Sequence, residues 1–407
     1  MKIFDIAIIG AGPAGLIAAI IAASFGKTVI LLEKNKIIGR KILATGNGRC
    51  NLTNCDIKIE RYHGANPDFI QTVLSQFNQI KTMQYFESLG LILKEEDNGR
   101  IFPRTNQASS VVEALSHELL WLKVTVNTDC LVTGINYKSN WHIKINNNST
   151  IVAKKLIITT GGTAAPQFGS SGDGLVWAQK LGHKLTPIHP ALVPLETIET
   201  WPKTVSGIKI EAIAKIVVDK KILSQKTGDL LFTHYGLSGP AIMDQARIIT
   251  PLIKKNKVEI QIDTIPEETA ESLNIKIEKI FNANGTKSVK NALAGAVPNK
   301  LIATILNNLE IDSDKKAARI SRLERLAIVK ALKNLVLTIS KPRPLKEAQV
   351  TAGGITVSEI DAKTLASKII PNLFFAGEII DVDGDSGGFN LQWAWSSGYV
   401  AGKSASS

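Results

Sequence analysis

The sequence predicts an α/β fold, a helix-flanked parallel sheet interrupted by an insert that is β-rich first and helical afterwards. Three observations predict it. The first 33 residues read as strand, glycine turn, helix and strand; two later strand signals run into Gly161 and Gly377; and the character of the chain changes between Pro187 and Pro194 before strands return near residue 349. At 407 residues and 44% hydrophobic content, this is the composition of a folded protein with two or three domains.

Ile3–Ile9 is short and almost continuously apolar, as expected of a strand buried on both faces of a parallel sheet. Residues 13–25 are Ala, Ile and Leu with small neighbours, a helix able to lie close on a sheet, and Gly26 ends it. Val29–Leu32 is the second buried strand. Residues 39–54 form a polar, glycine-bearing stretch, long for a connection unless it binds something. Helical patterns cover 68–89 and 108–122. Short strands at 124–126, 131–137, 141–145 and 150–152 suggest a meander laid on the main sheet, and 156–159 is another buried strand.

Beyond Pro187, β-branched runs at 205–218 and 258–262 mark the β-rich insert, and 266–344 turns helical. Strand signals return at 349–356 and 372–375, ahead of a glycine-rich turn and a closing helix over 389–404. The expected division is therefore 1–190, an insert of 191–265 and 266–345, and 346–407.

The glycine turn, Gly10-Ala11-Gly12-Pro13-Ala14-Gly15, carries the first functional signal. Its first Gly permits the tight turn, the second lets backbone approach a pyrophosphate, and the third brings helix and strand together. The anion then meets unpaired N–H groups at a helix N-terminus. Glu33 closes the second strand, where an acid accepts hydrogen bonds from ribose hydroxyls and disfavours a 2′-phosphate. FAD or NAD fits this unit better than NADP.

Later features choose FAD. Arg40 and Lys41 follow Gly39 and offer cations near a pyrophosphate, a second strand ends in Thr159-Thr160-Gly161, and a third ends in Ala376-Gly377-Glu378. This last arrangement resembles the C-terminal cofactor signature of the glutathione-reductase-type FAD fold, which implies a Rossmann-like domain and a ribitol or pyrophosphate contact for Glu378. The turn Gly387-Gly388 into Phe389-Asn390-Leu391-Gln392 is a second helix N-terminus, suited to the flavin O2/N1 region that gains negative charge on reduction. Asp381, Asp383 and Asp385 lack the later Gly and Glu of a calcium loop, so no metal is expected. The expected cofactor contacts are Gly10, Ala11, Gly12, Pro13, Ala14, Gly15, Glu33, Lys34, Arg40, Lys41, Gly46, Asn47, Gly48, Val132, Thr160, Gly161, Gly377, Glu378, Gly388, Phe389, Asn390, Leu391 and Gln392.

Three further segments, Gly46-Asn-Gly-Arg-Cys-Asn-Leu-Thr-Asn54, Phe232-Thr-His-Tyr-Gly-Leu-Ser-Gly-Pro240 and Thr351-Ala-Gly-Gly-Ile355, complete the pattern. With them the chain resembles, nearly end to end, the bacterial BaiN/RdsA-type NAD(P)/FAD-dependent oxidoreductases, also called aminoacetone-oxidase-like flavoproteins. Where relatives carry Ser-Gly-Gly-Gly before Arg-Cys-Asn, this chain has Ala44-Thr-Gly-Asn-Gly48. The resemblance implies an FAD domain interrupted by a small β-barrel and a helical subdomain.

Flavin chemistry at N5 leaves the protein to position substrate and manage protons. His234, between Thr233 and Tyr235, is the candidate proton donor or carbonyl clamp. Arg49 is a candidate for a substrate carboxylate or a flavin phosphate. Cys50 is a candidate thiol near the isoalloxazine, and Cys50 with Cys55 has the C-x4-C spacing of a disulfide reductase. Such an enzyme also needs a second GxGxxG unit and a C-terminal His, and the last His here is His234.

The expected activity is FAD-dependent oxidation or reduction of a small organic substrate, with NAD(P)H as candidate reductant. A nucleic-acid partner, as for a tRNA-modifying flavoprotein, is the alternative raised by the net charge of +12. Residues 266–345 hold fourteen Lys/Arg against eight Asp/Glu, with Lys315, Lys316, Arg319, Arg322 and Arg325 at near-helical spacing. Phe281 is the one aromatic there, too few for base stacking, so the small molecule is favoured. The first apolar run is broken by Gly10, Gly12, Pro13 and Gly15, which predicts neither membrane span nor signal peptide and points to the cytoplasm.

Overall fold

The computed structural model describes residues 2–146 and 148–407. Two compact units emerge, one of Met1–His189 with Gln349–Ser407 and one of Pro190–Ala348.

The first unit is built on a seven-stranded sheet. Ile3–Ile9 lies between Val29–Leu32 and Thr150–Ile158, parallel to both, and Thr125–Asn127 adds to Val29–Leu32 at the edge. The stretches 150–152 and 156–159, expected as separate strands, are one strand of nine residues. Its first half pairs antiparallel with Trp141–Ile145, and its second half pairs parallel with Leu373–Phe375. That continuity ties the meander to the sheet. Thr125–Asn127, expected in the meander, instead extends the parallel part.

The register sets the position of the site. Ile9 stands opposite both Leu32 and Ile158, and Ile158 stands opposite Phe375. Four strand ends are thus level, and the segments after them leave one edge together.

Helix Pro13–Ser24 is apolar all round because it is covered on two sides, by the sheet and by the C-terminal helix Phe389–Ser406. The two helices approach through Gly398 and Gly402, where a Cβ would stand 2.4 Å from the Ala14 carbonyl oxygen and 2.6 Å from that of Ala18. The helix expected over 68–89 is two helices, Pro67–Gln76 and Gln79–Ser88, because Asn78 starts the second by accepting from the Lys81 N–H at 3.0 Å.

The second unit contains a closed six-stranded barrel of Leu195–Thr197, Gly236–Ser238, Lys221–Phe232, Lys209–Val218, Val258–Asp263 and Leu335–Pro342. Two of these strands correct the reading of the sequence. Lys221–Phe232 exposes alternate polar residues and lacks an apolar run, and Leu335–Pro342 lies inside the stretch taken as helical. The helical part contains Ala270–Ala283, Asn299–Asn308 and Arg322–Lys333, the last opened by a capping box of Ser321 and Glu324. Among the described residues no helix is long and apolar enough to cross a membrane.

Candidate functional site

At the level edge of the sheet, the glycine turn leaves Ile9 and enters helix Pro13–Ser24, whose start has no side-chain cap. A Cβ on Gly12 would meet nothing within 4 Å, so open space lies in front of that turn. A Cβ on Gly15 would stand 1.9 Å from the Gly10 carbonyl oxygen, so the helix can sit this close only without one.

Glu33, 8% exposed, braces the turn: its Oε2 accepts from the Ala11 N–H at 2.8 Å and its Oε1 from the Asn35 N–H at 2.9 Å. Arg40 donates to Asn35 Oδ1 at 2.7 Å, and Lys34 pairs with Asp173 at 3.0 Å. Val132 opens its strand just after Cys130, whose N–H donates to the Glu33 carbonyl at 2.9 Å.

The two other strand ends complete a cradle. Thr159 donates its hydroxyl to the Gly10 carbonyl at 2.8 Å, while the buried Thr160 hydroxyl has no partner among the described residues and Gly161 turns with φ +73°. The Gly377 N–H donates to Ser397 Oγ at 2.9 Å. Glu378 is engaged on both oxygens, by Lys41 at 2.6 Å and by the Thr351 N–H at 2.9 Å. Lys41, expected as a cation near a pyrophosphate, is paired with Glu378.

The C-terminal helix begins after Gly388, at φ +103°, again without a side-chain cap. The Asn390 side chain accepts from the Gly384 N–H and donates to the Gly384 carbonyl at 2.8 and 2.7 Å. Gln392 is fully buried and bonds Thr53, Thr82, Ser396 and the Phe77 carbonyl. Phe389 and Leu391 are buried as well. What this helix offers a ligand is first-turn N–H groups and the positive end of its dipole. Two uncapped helix starts, open space at Gly12 and a ribose-side acid fit a dinucleotide flavin.

The loop of Gly46, Asn47 and Gly48 runs at φ of 57°, 56° and 83°, a left-handed series that turns the chain sharply. Arg49 is not free. Its guanidinium pairs with Glu96, donates to Asn106 Oδ1 at 3.1 and 2.7 Å, and lies 4.2 Å over the Phe102 ring. Cys50 is fully buried, and that burial pushes its thiol up to about 12, so it supplies no thiolate near neutrality. Burial also raises the Cys55 thiol, and all three cysteines are free. Raised thiols at both positions do not favour the disulfide-reductase alternative.

His234 belongs to the second unit. Thr233 and Gly236 close a two-residue hairpin, the Thr233 N–H donating to the Gly236 carbonyl at 2.8 Å, and His234 and Tyr235 form its tip. His234 is exposed, its ring 4.7 Å from that of Tyr235. Arg343 covers Tyr235 at 4.7 Å and is itself held by Glu347 through two bonds and by Glu196 at 2.6 Å. The tip is braced, so the imidazole is presented on a rigid support.

One cluster was missed in the sequence. Asp385, its side chain 1% exposed, bonds His63 Nε2 at 2.8 Å and Arg61 at 3.2 Å. Strand Tyr62–Gly64 pairs with Val382–Gly384 to bring them together. A three-residue strand of Tyr-His-Gly has no periodicity to read. Among the described residues no three His, Cys, Asp or Glu side chains converge as metal ligands.

The family profile described as HI0933-like protein Rossmann domain matches residues 4–404. The chain is 36% identical to the 3-dehydro-bile acid delta(4,6)-reductase of Clostridium scindens, over 98% of each. It is 30% identical to the ribosomal RNA dihydrouridine synthase of Escherichia coli, over 98% of this chain and 97% of that one. The 3-ketosteroid delta1-dehydrogenase structure from Sterolibacterium denitrificans shares the fold, with a TM-score of 0.54, 12% identity and full coverage of both chains. The match across nearly all 407 residues, on a cradle shaped for a dinucleotide, shows that the chain belongs to the HI0933-like Rossmann family of FAD-dependent oxidoreductases.

Proposed function

We propose that this protein saturates a carbon–carbon double bond conjugated to a carbonyl in a small organic substrate, with NAD(P)H as reductant. The observation that carries this reading is the pair of relatives matched over 98% and 97% of their length, whose names both describe a reduction, a delta(4,6)-reductase of a 3-dehydro-bile acid and a synthase of dihydrouridine. Bound in the cradle, FAD supplies hydride transfer at N5.

The residues divide the remaining work. Gly10 to Gly15 and Glu33 hold the ADP portion, the first by backbone N–H groups and the second by its carboxylate. The start of helix Phe389–Ser406 stabilises negative charge at the far end of the cofactor. His234 donates a hydrogen bond or a proton to the substrate carbonyl, and the Arg343 brace on Tyr235 keeps it oriented.

A second reading, an RNA base as substrate, is favoured by one observation. Lys316, Arg319 and Arg322 are exposed and make no ion pair among the described residues, whereas Lys315 and Arg325, expected on the same face, are taken by Glu324 and Glu278.

The test is anaerobic. NADH or NADPH should bleach the yellow protein, and a 4,6-diene-3-one steroid should restore the colour. Bleaching by neither nicotinamide removes the reductant assignment. Colour restored by ribosomal RNA and not by the steroid selects the second reading.

A further inference from the structure

The His63, Asp385 and Arg61 cluster has no task in the function above. We propose that His63 binds a proton when negative charge arrives at the start of helix Phe389–Ser406, with Asp385 and Arg61 as its positioning residues. This rests on the flavin reading.

The cluster is built onto that helix start. Tyr62 donates its hydroxyl to the Phe389 carbonyl at 3.1 Å, the Arg61 guanidinium lies 5.8 Å from the Phe389 ring, and the Asp385 N–H donates to the Arg61 carbonyl at 2.9 Å. Asn390, in the first turn, bonds both Gly384 and the Asp385 carbonyl. The imidazole is therefore fixed relative to the N–H groups that face a ligand.

The chemistry follows from which ring nitrogen is free. Asp385 is buried and takes Nε2 at 2.8 Å, so a neutral ring donates from Nε2 and turns an Nδ1 lone pair outward. Nδ1 makes no hydrogen bond within the described residues, and the side chain is 29% exposed. Arg61 lies 3.2 Å from Asp385 and offsets part of its charge. Asp383 is the cross-strand partner of His63, and Asp381 lies buried against Gly64, the next residue. A carboxylate-rich surrounding with one arginine can accept a cation.

The balance of the step is simple. Hydride from a nicotinamide brings two electrons and one proton, leaving one negative charge beside the helix start. His63 Nδ1 then takes one proton from solvent, with no other bond made or broken, and releases it when the electrons leave.

Redox titration of FAD-loaded wild type, H63Q and D385N across about pH 5.5 to 8.5 reads the proton count. In wild type, uptake per two electrons rises from about one proton toward two where the pH lies between the His63 transitions of the oxidised and reduced protein, and returns to about one at lower pH, where the ring is charged in both. H63Q stays at about one proton, D385N moves the step because the ring loses its anchor, and FAD affinity changes by less than about threefold. A wild-type step in H63Q, or no step in wild type, overturns the proposal while leaving the flavin reading intact. Wild type that takes up no FAD overturns both. If H63Q does not fold, nitrogen NMR of wild-type imidazoles replaces it: His63 becoming doubly protonated on reduction supports the proposal, and an unchanged ring overturns it.

Discussion

The sheet edge of the first unit and the hairpin tip of the second present opposite chemistries. At the edge, the side chains of Asn390, Gln392 and Glu378 are spent on the protein itself, and what faces outward is backbone N–H at two uncapped helix starts. At the tip, backbone closes a tight turn and the side chain of His234 is left exposed. The cofactor binding proposed for the edge would thus rest on close packing, whereas the role proposed for the tip would rest on a single side chain. A substitution at the edge should damage folding and cofactor retention together, and one at the tip should damage turnover alone.

The sharpest way to break this contrast is Gly15→Val. Its Cβ would fall 1.9 Å from the Gly10 carbonyl oxygen, backbone that cannot step aside, and the expected loss is at least about 3 kcal/mol, read as a fall in Tm with no FAD retained. Retention of yellow colour would show that the helix can shift on the sheet. Gln392→Leu comes next. It leaves Thr53, Thr82 and Ser396 short of a buried partner, and unfolding in urea should show a loss of about 2 to 3 kcal/mol.

His234→Gln tests the other side. With an exposed ring, Tm should stay within about 1 °C while turnover falls about 100-fold, the lower range for losing a positioned acid. Equal losses of stability and turnover would make His234 a structural residue. The smallest effect concerns pH. Burial holds His183 below the ordinary histidine range against the opposing pull of Glu359, so its neutral form is the one the fold accommodates. The unfolded chain then binds the proton more readily, and stability should be full above about pH 6.5 and decline as pH falls below it. His183→Gln should flatten that decline in melts taken across the range.

The opening strand, glycine turn, helix and strand are legible because every signal in them is local: burial on both faces, small residues at close contacts, and an acid at a fixed distance. The turn before Glu378 and the second helix start were legible as well, since glycines mark both turns. Lys221–Phe232 was not, because a barrel strand with one wet face carries half the apolar signal. Leu335–Pro342 was hidden by the helix before it.

Arg49 and Lys41 were candidates for anionic ligands, and a sequence does not show which acid a long side chain will reach. Glu96 and Glu378 take them up. Cys50 was a candidate by spacing, and its burial, which raises the thiol, is a property that no spacing reveals.

By itself, then, the sequence determined the dinucleotide unit and the order of sheet, insert and sheet, since these rest on neighbours within about thirty residues and on hydrophobic period. Only the tertiary structure decided which polar side chains remain available. His63 and Asp385 stand 322 positions apart and meet through a strand pair of three residues each, a contact set by the register of the whole fold. Availability is a matter of what each group has already bonded, and that is known only when every partner is in place.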